Sequence, residues 1–169
     1  AHLQDADPED TPIIEPLPRC LSSPVFSREF NYRSLIGMLM YLCNTTRPDI
    51  AYAVMSCARY SHDPREPHGT AIKRIVCYLK KTRELGLVLK PYDKDTVDCW
   101  ADADFAGQFK VEDPHDPTSC RSRTGYVITL GGNPLVWTSR LQSEVALHTM
   151  EAEYIACSTA MKMLLFIRN

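Results

Sequence analysis

The sequence predicts an α+β chain in two modules: three helices, then a three-stranded antiparallel sheet and one closing helix. Three observations carry this. Apolar residues recur at three- and four-residue steps from about residue 27 to residue 83, the period falls to two after Gly86, and the helical spacing returns after Ser143. Its 169 residues, 44% of them hydrophobic, can supply buried cores and are too apolar for wholesale disorder. No apolar run approaches the ~20 residues that span a bilayer, so no membrane partner is expected. The chain begins with Ala rather than Met, and the expectation is a piece of something longer.

Residues 1–26 form a lead-in. Residues 1–18 hold Asp5, Asp7, Glu9, Asp10 and Glu15 with no Lys or Arg, together with Pro8, Pro12, Pro16 and Pro18; this composition predicts an extended, mobile segment. Helices occupy residues 27–90. In the first, Tyr32, Leu35, Ile36, Leu39, Met40 and Cys43 form the buried stripe; Ser27 is the expected N-cap, and Asn44-Thr45-Thr46 before Pro48 ends it. Pro48 and Asp49 suit the first turn of the second, whose apolar face is Ile50, Ala53, Val54, Cys57 and Ala58. His62-Asp63-Pro64 stops that helix. The third runs from about Pro67 to Arg83, with Ile72, Ile75, Val76 and Leu79 on one face.

The second module covers residues 91–169. Leu87-Val88-Leu89, Val97 to Trp100, Tyr126 to Leu130 and Leu135 to Thr138 read as strands, and Gly131-Gly132-Asn133-Pro134 reads as a hairpin turn. From Ser143 or Thr149 onward, Ala152, Ile155, Ala156, Thr159, Met163 and Phe166 supply a helical stripe.

The net charge of −2 conceals a gradient. Residues 59–90 carry eight Lys/Arg against Asp63, Glu66 and Glu84, a local charge of 8 − 3 = +5. Lys73, Arg74, Lys80 and Lys81 lie off the apolar face of the third helix, and the pairs 73/80 and 74/81 are seven apart and so aligned. Such a ridge can track a phosphate backbone through counterion release; a solvated helix face explains it equally simply. Seven cysteines with no Cys-x-x-Cys pair make a poor disulfide framework and a poor zinc site, and a reducing, intracellular compartment is expected. His62 and His68, six apart in a Pro-rich turn, are not expected to bind metal.

Asp102 and Asp104 stand where the predicted strand ends, and Glu151 and Glu153 open the last helix. A strand-end Asp facing a helix-borne Glu can hold a hard cation such as Mg²⁺ through oxygen ligands. Turn capping by Asp and dipole compensation by Glu are the plain alternative. Spacing alone leaves both open.

Several motifs follow one another along the chain. They are Tyr32-Arg33-Ser34-Leu35-Ile36-Gly37 with Met40-Tyr41-Leu42; Thr46-Arg47-Pro48-Asp49-Ile50-Ala51; and His68, Ala71, Arg74 and Tyr78-Leu79-Lys80 leading into Gly86-Leu87. Ala101-Asp102-Ala103-Asp104-Phe105-Ala106-Gly107, Arg123-Thr124-Gly125-Tyr126-Val127, Gly131-Gly132 with Val136-Trp137, and Val145-Ala146-Leu147 with Glu151-Ala152-Glu153-Tyr154-Ile155-Ala156 follow in order. Together these motifs resemble the carboxy-terminal part of the Pol polyprotein of copia-type LTR retrotransposons, where a reverse transcriptase runs into a ribonuclease H. The resemblance implies a three-helix thumb-like module, then a partial ribonuclease H-like module of three antiparallel strands and one helix. It implies a grip on a template–primer duplex or RNA–DNA hybrid, with Lys73, Arg74, Lys80 and Lys81 as phosphate contacts. It also implies Asp102 and Glu153 as catalytic, Mg²⁺-binding carboxylates in hydrolysis of RNA in the hybrid; Asp104 and Glu151 rank second. The partners implied are the nucleic acid and the rest of the polyprotein, in a cytoplasmic particle and the nucleus.

The chain departs from that family in two places. Residues 110–120 insert Glu112-Asp113-Pro114-His115-Asp116-Pro117, and His148 and Met150 replace small hydroxyl residues before the Glu motif. The polymerase palm and the later ribonuclease H carboxylates lie outside residues 1–169. The expectation is therefore a chain inactive alone, with its first strand an exposed edge in a weakly stable second module. The alternative is a non-catalytic nucleic-acid-binding or scaffold module that uses the basic helix.

Overall fold

In the computed structural model, which describes residues 9–14, 16–27, 29–90, 96–109 and 117–168, the chain is α+β with four α-helices and a three-stranded antiparallel sheet. It divides into two compact units, residues 1–87 and 88–169. All seven cysteines are free. No helix among the described residues is long and apolar enough to cross a membrane.

In the first unit, Asn31 rather than Ser27 opens helix α1 (Tyr32–Thr45): its side chain accepts the Ser34 N–H at 3.0 Å. The Ser27 amide is instead bonded to the Glu66 carboxylate, and the backbone of residues 24–26 is tied to residues 64–66 by Phe26 N–H to Pro64 and Glu66 N–H to Pro24. Pro48–Ile50 forms a 3₁₀ turn that runs into α2 (Ala51–Ala58). Helix α3 spans Glu66–Lys81. Ile36, Leu39, Cys43, Ile50, Val54, Cys57, Ile72 and Ile75 are all buried in this unit. Burial pushes the Cys57 thiol up to about 12, leaving it an inert core group.

The Thr46-to-Ala51 motif has a structural purpose here. Buried Arg47 forms a fork on Asp49, Nε to Oδ1 at 3.0 Å and Nη2 to Oδ2 at 2.8 Å. It also donates to the Thr82 carbonyl and hydroxyl at the end of α3. Tyr78 donates its hydroxyl to the same carboxylate at 2.8 Å. Burial alone would raise the Asp49 carboxyl, but the hydrogen bonds from Arg47 and Tyr78 and the Arg47 charge hold it below the usual range.

His68 is fully buried, with its ring stacked on Tyr60 at 4.1 Å. Its Nδ1 accepts the Arg65 N–H at 2.9 Å, and its Nε2 lies 2.8 Å from the Pro18 carbonyl. The two contacts assign a neutral ring protonated at Nε2. Those partners make it a structural residue. The lead-in is held as well: Leu17 is buried, and its carbonyl accepts the Tyr60 hydroxyl at 2.6 Å. From residue 9 onward the described lead-in is thus tied down where composition predicts mobility, because Tyr60, just past α2, and His68 and Arg74 of α3 supply partners for its backbone. Asp5, Asp7, Pro8 and Glu15 lie outside the described residues.

In the second unit, β1 (Val97–Asp104), β2 (Arg123–Leu130) and β3 (Asn133–Leu141) pair in the order β1-β2-β3, so β1 and β3 are the edges among the described residues. The β2–β3 turn is Gly131-Gly132 with φ of 54° and 77°, the left-handed pair that a two-residue hairpin needs. The expected strand over residues 87–89 is absent, and Val88 and Leu89 are exposed. Just beyond it, the Asn133 side-chain amide donates to the Lys90 carbonyl and accepts the Lys90 N–H at 2.8 Å each way.

Helix α4 (Thr149–Arg168) packs on the sheet through Ala152, Ala156 and Ala160, whose small side chains allow close approach. Phe166, expected on the buried stripe, is 80% exposed. The stripe instead continues through Met163, Leu164 and Ile167, packed with Cys99, Ala101, Tyr126 and Ile128. Of the inserted segment, residues 110–116 lie outside the described residues, and Pro117–Cys120 is a 3₁₀ turn.

Candidate functional site

Asp102 lies within β1, two residues before its end, opposite Gly125 of β2. Strand alternation places Asp98, Trp100, Asp102 and Asp104 on the face opposite Cys99 and Ala101, the residues that meet α4. Glu153 lies in the second turn of α4 and is exposed. Neither carboxylate has a hydrogen bond or ion pair among the described residues. Their neighbours are committed to local structure. Glu151 accepts the Leu147 N–H at 2.7 Å, closing the turn that leads into α4. The Asp104 carboxylate lies so close over Gly107 that a Cβ there would collide with it. Among the described residues, no group of three or more His, Cys, Asp or Glu is placed to hold a metal ion.

The basic ridge of α3 is occupied by acids of its own unit. Lys73 pairs with Glu29 at 2.5 Å, Arg74 with Glu9 at 2.7 Å, and Lys81 with Asp10. Arg74 also donates to the carbonyl and hydroxyl of Thr11 at 3.0 and 3.2 Å. The hydrogen bond and charge of Lys81 hold the Asp10 carboxyl below the usual range. Lys80 is exposed.

A site that the sequence reading did not assemble lies in the second unit. A groove of about 1050 Å³ runs between the end of β3, the loop after it and α4. Three cations line it, Arg121, Arg140 of β3 and Lys162 of α4, together with two acids, Glu144 and Glu151. The antiparallel register sets Arg140 opposite Thr124, bringing residues 16 apart onto one wall. At its base Gln142, only 4% exposed, donates to the Thr124 hydroxyl at 3.1 Å and the Ala152 carbonyl at 2.9 Å. Its Oε1, buried and without a partner, remains an available acceptor.

On α4, Glu151, Tyr154, Ser158 and Lys162 line the groove at three- and four-residue steps. That polar stripe beside the alanine stripe was the one local signal for this site in the sequence. Helical geometry places Glu153 on the other flank of the alanines, away from the groove. Cations, hydroxyls and the exposed Tyr154 are the donor set suited to a polyanion that also carries stackable rings.

No protein-family model and no solved structure matches the chain. Among curated proteins it is 37% identical over 123 residues, 73% of its length, to the retrovirus-related Pol polyprotein from transposon RE2 of Arabidopsis thaliana. It is 33% identical over 175 aligned positions, 99% of its length, to that from transposon TNT 1-94 of Nicotiana tabacum. The chain spans 8% and 12% of those two polyproteins. It is also 38% identical over 129 residues to secreted RxLR effector protein 161 of Plasmopara viticola, covering 76% of this chain and 85% of that protein. With this breadth of similarity, the chain belongs to the family of retrovirus-related Pol polyproteins of transposons.

Proposed function

We propose that the chain is the part of a copia-type Pol polyprotein in which the thumb and connection of the reverse transcriptase lead into a ribonuclease H-like module, and that it contacts the nucleic-acid duplex. The observation that carries this is the groove lined by Arg121, Arg140 and Lys162 beside Tyr154, in a chain aligned with Pol polyproteins over most of its length. Cations spaced along a groove neutralise successive phosphates, and an aromatic ring stacks on an unpaired base or sugar. Lys73, Arg74, Lys80 and Lys81 form a second basic surface with the same chemistry.

In the whole polyprotein we assign Asp102 and Glu153 to the Mg²⁺-dependent hydrolysis of RNA in the hybrid. The described residues do not fit a Mg²⁺ ion by themselves: no three His, Cys, Asp or Glu among them are placed to hold one, and Asp102 is on the face of the sheet opposite the one that α4, which bears Glu153, packs against. No hydrolytic step is therefore assigned to this chain, and it is expected to be inactive alone.

The second reading, a non-catalytic binding module, is favoured by one observation: a 38% identical relative is matched over 85% of its length, so a chain of about this extent stands on its own elsewhere. Salt-titrated fluorescence anisotropy with an RNA–DNA hybrid and a DNA duplex tests both readings. Binding should weaken linearly in log–log form with salt, and Arg140→Ala or Lys162→Ala should each lower the slope by about 1. No binding at low salt overturns the duplex contact in both readings and leaves the family membership standing. Cleavage of the hybrid with Mg²⁺, abolished by Asp102→Asn, overturns the assignment as inactive.

A further inference from the structure

The acids that occupy the ridge of α3 come mostly from one short segment. Glu9, Asp10 and Thr11 between them hold Arg74 and Lys81 through two ion pairs and two further hydrogen bonds. We propose that this segment is an internal polyanion that masks the ridge and is displaced when a phosphate backbone takes its place. The proposal rests on the reading that α3 contacts nucleic acid.

Three features make the segment a strap. It is anchored at its far end, where the Pro18 carbonyl meets His68 near the start of α3 and the Leu17 carbonyl meets Tyr60. From His68 to Lys81 the helix rises roughly 20 Å. Eight residues, from Pro18 back to Asp10, reach at most roughly 26 Å when fully extended, which is long enough to cover that rise.

Pro12, Ile13 and Leu17 form one wall of an open groove of about 420 Å³ whose other wall includes Ala71 and Cys77, and of the three Leu17 is the buried contact. Pro12, Pro16 and Pro18 restrict the free segment, so less conformational freedom is lost when it lies down.

The mask is also built to release. Both of its ion pairs are open to solvent, with the Asp10 and Lys81 side chains 84% and 43% exposed and those of Glu9 and Arg74 37% and 21% exposed. Pairs of this kind are individually weak and screened by salt. A nucleic-acid backbone offers a longer row of anions and gains from counterion release, which two carboxylates do not supply. Glu29, on Lys73, is held independently of the strap.

The test compares the full chain with a Glu9→Gln/Asp10→Asn variant, which keeps side-chain shape and removes both charges. Anisotropy with a labelled RNA–DNA hybrid at about 50 mM salt should show the variant binding roughly threefold to thirtyfold tighter. The gain should vanish when Arg74→Ala and Lys81→Ala are added, which separates unmasking of the ridge from the change in net charge. Hydrogen exchange of residues 9–18 in the wild type should accelerate on addition of the hybrid.

Equal binding by wild type and variant overturns the strap and leaves the nucleic-acid reading standing. A gain that survives Arg74→Ala/Lys81→Ala also overturns the strap. No binding by either protein overturns the strap together with the reading on which it rests.

Discussion

Replacing Gly69 by Ala in α3 sets two physical effects against each other. Helix propensity favours Ala over Gly by up to about 1 kcal/mol. An added Cβ at Gly69, however, would lie 2.5 Å from Phe26 Cδ2, closer still to Cε2, and 3.4 Å from Cζ, where carbon–carbon contacts settle at ~3.5–4.0 Å. The Phe26 ring must therefore move by about 1 Å or more. It is 4% exposed and packed against Phe30 at 4.7 Å and Tyr32 at 6.0 Å, so its displacement disturbs both ring contacts. Overpacking of this kind costs about 1–3 kcal/mol, leaving a net loss of about 0–2 kcal/mol after the propensity gain.

Gly37 in α1 is the matched control. It is exposed with nothing within 4 Å of its added Cβ, so Gly37→Ala should stabilise by about 0.5–1 kcal/mol. In a unit of this size each kcal/mol moves the melting temperature by about 4–8 °C, which separates the two variants clearly. Far-UV circular dichroism in a thermal or urea series measures the difference. Trp100 and Trp137 both lie in the second unit, so their fluorescence monitors that unit separately. Phe26→Leu should reduce the cost of Gly69→Ala, a coupling that a double-mutant cycle reads directly. A Gly69→Ala protein as stable as Gly37→Ala would refute the reasoning, because Phe26 would then move aside at no cost.

Two other perturbations probe the polar ties of the first unit. Arg47→Ala removes the fork on Asp49 and both contacts to Thr82; because the Asp49 side chain is 36% exposed and water can replace part of the loss, destabilisation of about 2–3 kcal/mol is expected in urea titration, at or below the low end for a broken buried pair. Arg47→Lys, which keeps the charge and loses the fork, should recover only part of it. Burial, more than any other influence, lowers the His68 pKa below its ordinary value near 6.5. The unfolded chain then binds the extra proton first, so the contribution of neutral His68 is present above about pH 6.5 and lost as pH falls toward the folded pKa. Urea midpoints measured between pH 7.5 and 5.5 should decline, and His68→Gln should flatten that decline; an unchanged slope in the variant would assign it to other groups.

The elements were legible in the sequence to the extent that they depend on local pattern. The stripe Ile36, Leu39, Cys43 and the stripe Ile72, Ile75 are buried as their spacing predicts, and Gly131-Gly132 forms the hairpin turn that only left-handed residues allow. Helix ends and isolated strands were less legible. Ser27 and Asn31 are equally good caps by residue type, and the Glu66 carboxylate, 39 positions on, takes the Ser27 amide. Leu87-Val88-Leu89 has strand composition without a partner strand among the described residues, and a strand is a property of a pair.

For the candidate site the division is sharper. By itself the sequence determined which residues carry charge, which faces are apolar and which family the chain resembles, since residue type, period and motif order all reside in the linear chain. Only the tertiary structure decided which charges meet. Thr124 stands opposite Arg140 because of the β2–β3 register, Lys162 joins them because α4 lies on that sheet, and Glu9 and Asp10 reach Arg74 and Lys81 across 65 and 71 positions. Electrostatic interaction falls off with distance in space, not along the chain; the net charge of −2 is fixed by composition, whereas the groove and the masked ridge exist only through folding.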